Sequence, residues 1–309
     1  MTATAGPATG RFAGLGRRAR RSWLGPRQPY WGLLFVVPIL VLFIVFKFLP
    51  ILRAAYLSLT EYNPLERIET FVGFDNYVTL AGDAAFLNSL RVTMTYVVGT
   101  VTPLVVLSLG LALLLNQKIR GRGLFRVLIF LPAVIPIIVV PILWRFMYHP
   151  FGLVNSGIEL FGFDGVNWLQ SKDAVIPGFI IASEWRFVPL FMIIYLAGLQ
   201  SIPEDLYDAA KVDGASAVQR FVNVTIPLLK PTILVVVVVA VTFTAKTLVL
   251  ALVMTNGGPD NGSRTLSLFI YEMGFRFFRL GYASAAAMVL LVIIVVFTLL
   301  NLRVFRTDD

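Results

Sequence analysis

A chain of 309 residues that is 58% hydrophobic and 14% charged, with a mean hydropathy of +0.82, carries far more apolar surface than one soluble core needs. It reads as an integral membrane protein. The lack of cysteine excludes disulfides, thiol catalysis and cysteine-based metal sites, and the single His149 excludes a histidine cluster, so no metal site is expected. The net charge of +9 is assigned to membrane topology and anionic head groups rather than to nucleic acid, because no basic patch interleaves with aromatics on a soluble stretch.

In chain order, residues 1–30 form a basic tail holding Arg11, Arg17, Arg18, Arg20, Arg21 and Arg27 with no acid among them. The apolar run 31–52 is long enough to span, contains Pro38 and Lys47, and has no small-residue cleavage site behind it. It reads as a retained first helix rather than a signal peptide. Further spans, each near the roughly 20 residues that a bilayer core demands, fall at about 88–115, 124–148, 174–199, 231–253 and 282–302. The expected fold class is therefore all-α, a polytopic membrane protein with six transmembrane helices.

Basic residues gather in the tail, at Lys118, Arg120, Arg122 and Arg126, around Lys211, Arg220 and Lys230, and at Arg303 and Arg306. With six spans these places share one side, and the positive-inside rule puts both termini in the cytoplasm. The opposite loops fit an external face: 54–87 holds Glu61, Glu66, Glu69, Asp75 and Asp83, and 149–173 holds Glu159, Asp164 and Asp173.

The segment 200–230 is a polar helix-turn-helix set between two apolar stretches. Ser201 is a reasonable helix start, Pro203 suits a first turn, and Glu204 and Asp205 place negative charge where the helix dipole favours it. A short helix over 203–212 follows. Asp213-Gly214 signals a turn, after which 215–222 forms a second short helix that Pro227 and Pro231 separate from the next span. Ala209, Ala210, Gly214 and Ala215 strip the corner of bulk, while Asp208 and Asp213 offer carboxylates to a partner.

Tyr207-Asp208-Ala209-Ala210-x-x-Asp213-Gly214-Ala215, followed by Phe221 and Thr225-Ile226-Pro227, resembles the EAA motif of ABC importer permeases, and more narrowly the maltose-type carbohydrate permeases. Asp208 stands where that family often has Glu, keeping the charge on a shorter arm. Two more stretches are similar to the same family: Leu196-Ala-Gly-Leu-Gln200-Ser-Ile-Pro203, and Thr255-Asn-Gly-Gly-Pro259 with Arg264-Thr265 and Gly281-Tyr-Ala-Ser-Ala285. The resemblance implies the type I importer permease fold. It also implies a coupling helix that enters a cleft of a separate ATPase subunit and carries its motion to the spans.

No Gly-x-x-x-x-Gly-Lys-Ser/Thr loop exists to cradle nucleotide phosphates, so the chain is expected to be non-catalytic and to bind no cofactor. The resemblance places ATP and Mg²⁺ on two partner ATPase subunits. It further implies a second homologous permease, an extracytoplasmic solute-binding protein and a sugar as cargo. Glycerol phosphate or another polar solute is the alternative cargo. An ion-coupled secondary transporter is the rival mechanism, though it would have no reason to build the polar helix-turn-helix.

Polar groups inside the spans are the candidates for a substrate pathway. They are Glu184, Trp185 and Arg186 in the fourth span, Thr242 and Lys246 in the fifth, and Asn256 near its outer end. Two roles stay open. These groups line a cavity for a hydroxylated solute, with Trp185 stacking on a sugar face, or Glu184 neutralises Arg186 or Lys246 and locks two helices together. Gly257, Gly258 and Pro259 have the backbone chemistry of a tight external turn. Lys47 and Arg145 suit interfacial anchoring, and 283–287 suits close helix packing.

Overall fold

The computed structural model describes Thr2 and residues 28–117 and 120–304, so Arg11, Arg17, Arg18, Arg20, Arg21, Arg27, Lys118 and Arg306 lie outside the described residues. The chain divides into two units, Met1–Leu52 and Arg53–Asp309. The first holds α1 (Gln28–Phe43), a π turn at Ile44–Phe48, and the start of α2 (Leu49–Leu57). The run Leu34–Leu57 has a mean hydropathy of 2.8 and none of it is buried, as suits a helix whose solvent is lipid.

The second unit continues with β1 (Thr60–Asn63) and β2 (Ile68–Phe71), a small antiparallel hairpin in register Thr60↔Phe71 and Asn63↔Ile68. It is the one departure from an all-α description among the described residues. Then come α3 (Asp75–Gly82), α4 (Ala84–Asn116), α5 (Arg122–Val134), α6 (Val139–Met147), α7 (Leu153–Leu160) and α8 (Lys172–Gln200). The remaining helices are α9 (Glu204–Val212), α10 (Ala217–Arg220), α11 (Ile226–Ala245), α12 (Val249–Met254), α13 (Leu266–Tyr271) and α14 (Leu280–Val304).

The centre of this unit is the α4 and α8 pair, flanked by α11 and α14, with Leu104, Phe179, Phe191, Met192 and Tyr195 fully buried. Tyr96 and Ser183 share a buried hydrogen bond at 2.6 Å across the pair. Gly198 lets α8 and α11 approach: a Cβ there would stand 2.6 Å from Thr232 Oγ1. Without a hydrophobic drive between helices in lipid, such close backbone contact is what holds spans together.

Two stretches expected as single spans are broken. Residues 124–148 form α5 and α6, bent by 101°. Pro136 cannot donate to a helix, and Ile135 before it turns extended at ψ 132°. Likewise 231–253 is interrupted: α11 ends at Ala245, Lys246 closes it outside helical geometry, and α12 begins at Val249. Thr265 Oγ1 donates to the Thr247 carbonyl freed by this break, at 2.9 Å.

The polar segment also differs from the expectation at its edges. Ser201 closes α8 instead of opening the next helix, and Pro203 is the residue that caps α9. Prolines 227 and 231 do not separate α10 from the following span, because residues Ala217–Ala245 form one helical run. A π turn at Phe221–Thr225 widens the helix just ahead of Pro227, and the Ile226 N–H donates to the Phe221 carbonyl. The turn at Ile44–Phe48 stands in the same position ahead of Pro50. A proline lacks the donor of a normal turn and crowds the carbonyl behind it, and a widened turn relieves both.

The end of the second unit that carries the hairpin is tied across long sequence distances. The backbone carbonyl of Thr60 lies against Gly281, leaving no room for a Cβ. Tyr282 donates to the Asp83 carboxylate at 2.6 Å, Asn88 to the Asn261 carbonyl at 2.9 Å, and Lys172 pairs with Asp260 at 3.0 Å. Asp83 also caps α4 by accepting from the Ala85 and Phe86 N–H groups. Burial pushes its carboxyl up, but Tyr282, these N–H groups and Arg264 outweigh that and hold it below the usual range.

Candidate functional site

Two places bring candidate residues together. The first is the corner between α9 and α10. Glu204 and Asp205 open α9 at its positive end, and Lys211 sits in its last turn. The helix stops in a Schellman motif: Gly214 at φ +76° donates to the Lys211 carbonyl at 3.0 Å, and Ala215 donates to that of Ala210 at 2.9 Å. A capping box of Ser216 and Gln219 restarts the chain. Arg220 Nη1 donates to the Ala215 carbonyl at 2.9 Å, so the turn is braced from both sides.

Tyr207, whose hydroxyl meets Thr225 Oγ1 at 3.0 Å, ties the corner to the base of α11. Asp208 and Lys211 form an exposed pair at 2.7 Å, and the ammonium holds the Asp208 carboxyl below its ordinary value. Ala209, Asp213 and Gly214 are exposed. So are the apolar side chains Leu206, Val212 and Val218, with Val212 at 88%. A rigid polar corner with apolar tips is a surface shaped for a partner.

The second place is a pair of adjoining hollows of 110 Å³ and 370 Å³ between α5, α6, α8, α11 and α12. Both are lined by Ile137, Arg186, Phe187, Phe243 and Lys246. Tyr96, Ser183 and Thr247 line the smaller one, and Thr242 the larger. The walls are apolar, and the polar atoms are hydroxyls and two cations. Arg186 Nη1 donates to the Ile135 carbonyl at 2.7 Å, capping the end of α5 where the span breaks.

Residues 104–307 match the family described as "Binding-protein-dependent transport system inner membrane component". The chain belongs to that family. The permease is 33% identical over 288 residues to the trehalose/maltose transport system permease protein of Thermococcus litoralis, covering 91% of this chain and 96% of the relative. It is 38% identical over 284 residues to the lactose transport system permease protein of Rhizobium radiobacter, covering 89% and 94%. Its fold matches a chain of a bacterial alginate ABC transporter solved with an alginate pentasaccharide-bound periplasmic protein, with a TM-score of 0.78 and 25% identity over 92% of this chain and 98% of that one. It is thus a multi-pass membrane permease subunit.

Within the permease, the expected pathway residues part company. Arg186, Thr242 and Lys246 meet at the hollows, but Glu184, Trp185 and Asn256 do not line them. Trp185 packs edge-on against Trp144 with ring centroids 5.8 Å apart. Glu184 forms no ion pair with Arg186 or Lys246, and both its buried carboxylate oxygens lack a hydrogen-bond partner. The helix lock is therefore absent in this state. Asn256, at φ +51°, accepts from Arg276 at 2.9 Å in the turn that holds Gly257, Gly258 and Pro259. Behind that turn Arg264 and Glu272 form a largely buried ion pair at 2.6 Å.

The aromatics that do face the hollows, Phe187 and Phe243, lie with centroids 6.2 Å apart. Helical spacing could have found the first: Ser183, Arg186, Phe187 and Leu190 recur at i, i+3, i+4 and i+7 on one face of α8, and Glu184 and Trp185 fall off it.

Proposed function

We propose that the chain moves a sugar or sugar-like solute into the cell as one half of the membrane pore of an ATP-driven importer. A second homologous permease forms the other half, two ATPase subunits bind ATP and Mg²⁺ below, and a solute-binding protein delivers cargo from outside. The observation that carries this reading is the pair of hollows beside two broken spans, where hydroxyls, cations and phenyl faces converge in an apolar setting. Relatives named for trehalose/maltose and lactose transport support the cargo class.

In this reading residues 1–30 are a cytoplasmic tail, 31–309 form the permease domain with six spans, and both termini face the cytoplasm. The corner of Tyr207, Asp208, Ala209, Ala210, Asp213, Gly214 and Ala215 is the contact for the ATPase, and Gly257, Gly258 and Pro259 are an external turn. The reading is supported by the rigidity of the α9 corner and by the exposure of Val212.

The test is ATP-driven sugar uptake by the complete importer in proteoliposomes. Val212→Asp is expected to cut uptake at least tenfold with the permease still folded, since a charge cannot enter an apolar contact for less than about 1.4 kcal/mol. Uptake unchanged in that variant, or proceeding without the ATPase subunits, would refute the proposal.

A further inference from the structure

We infer that the hollows bordered by Arg186 and Lys246 take a sugar that carries an anionic group, a carboxylate, sulfonate or phosphate, with Lys246 as its charge partner. This deepens the sugar reading above and rests on it. The two cations are the only charged side chains lining either hollow among the described residues, and no carboxylate faces them. Lys246 makes no ion pair among the described residues. The nearest acid in sequence to Arg186 is Glu184, which lies off the lining face of α8 with its oxygens buried and unpartnered.

The two cations are not equivalent. Arg186 spends one donor on the Ile135 carbonyl and so doubles as the brace of the α5 break. Lys246 is exposed, extends from the point where α11 stops, and has no bond to break before meeting a ligand. Val140 and Pro141, in the first turn of α6, line the smaller hollow.

The walls, Ile137, Val140, Phe187 and Phe243, keep the local dielectric low. There a positive field without a counter-charge is costly, and a neutral sugar cannot offset it. An acidic sugar does both jobs required: its charge answers Lys246, and its ring lies against the phenyl faces while hydroxyls meet Tyr96, Ser183 and Thr247.

The experiment measures ATP-driven uptake by the complete importer in proteoliposomes for matched pairs of sugars: uronates, 6-phosphates and 6-sulfonates beside their neutral parents. Transport of an acidic member is expected, with Lys246→Gln lowering its uptake at sub-saturating concentration about ten- to hundred-fold, the size of one charge-assisted hydrogen bond. Lys246→Arg is expected to restore most of it. Uptake of neutral sugars alone, untouched by Lys246→Gln, overturns the inference and leaves the sugar reading standing. Uptake of no sugar in the panel counts against both. Loss of the second permease from the purified Lys246→Gln complex would give the counter-charge to that subunit, and the inference falls.

Discussion

At the hairpin end, four ties join residues far apart in the chain: Thr60 against Gly281, Asp83 to Tyr282, Asn88 to Asn261, Lys172 to Asp260. At the α9 corner, the bonds that shape the turn link Ala210 to Ala215, Lys211 to Gly214, Ser216 to Gln219 and Ala215 to Arg220. One end is shaped by tertiary contact and the other by its own local sequence. A tertiary joint fails as a unit when one member is altered. A local corner keeps its shape while the helices that carry it move.

The largest effect is expected where the tertiary joint is tightest. Gly281→Ala drives a methyl group into the Thr60 carbonyl, so the hairpin must leave α14. The cost should reach the upper part of the roughly 1–3 kcal/mol typical of overpacking, visible as a lower melting temperature in detergent and as protease cleavage within residues 60–71. Tyr282→Phe keeps the packing and removes one hydrogen bond to a carboxylate, for about 1.5–3 kcal/mol. Combined with Asp83→Ala in a double-mutant cycle it should show coupling, and strict additivity would mean that the joint is not one unit.

Gly214→Ala sharpens the contrast. The space around a Cβ there is empty, so the penalty is only that of a positive φ, about 1–2 kcal/mol. The permease should still fold, and the loss should be read in ATP-coupled uptake rather than in melting. Ser216→Ala removes one half of the capping box and should cost about 1 kcal/mol, confined to the α9–α10 corner and measurable by hydrogen exchange there.

The smallest effect is in pH. Because the Asp83 carboxyl is held below its ordinary value of 3.8, its contribution is fully present above that value and lost as pH falls through the lowered one. The gap in melting temperature between wild type and Asp83→Asn should therefore stay constant between pH 5 and pH 7 and narrow only below about pH 4.

The same contrast explains what could be read from the sequence. Asp213-Gly214 and the cap at Ser216 declare themselves within a few residues, so the polar corner was legible. The hollow was not, because Tyr96, Arg186 and Lys246 come from three separate helices and meet only after packing. Arg186 lines the hollows, but its bond to Ile135 depends on the break at Pro136, which hydropathy alone smooths into one span. Trp185 misled because aromatic chemistry suggested a sugar platform, whereas its place on α8 turns it to Trp144. The run through Pro227 was hidden for a related reason: proline signals a helix end unless a widened turn precedes it.

That widened turn at Phe221–Thr225 holds one residue more than an α-helix would use. The wide turn absorbs that residue within itself, so excising one would restore an ordinary α turn and leave the stretches on either side nearly in phase about the axis. What would return is the clash of the Pro227 ring with the carbonyl one turn behind it. One surplus amino acid thus lets a proline sit inside a continuous rod.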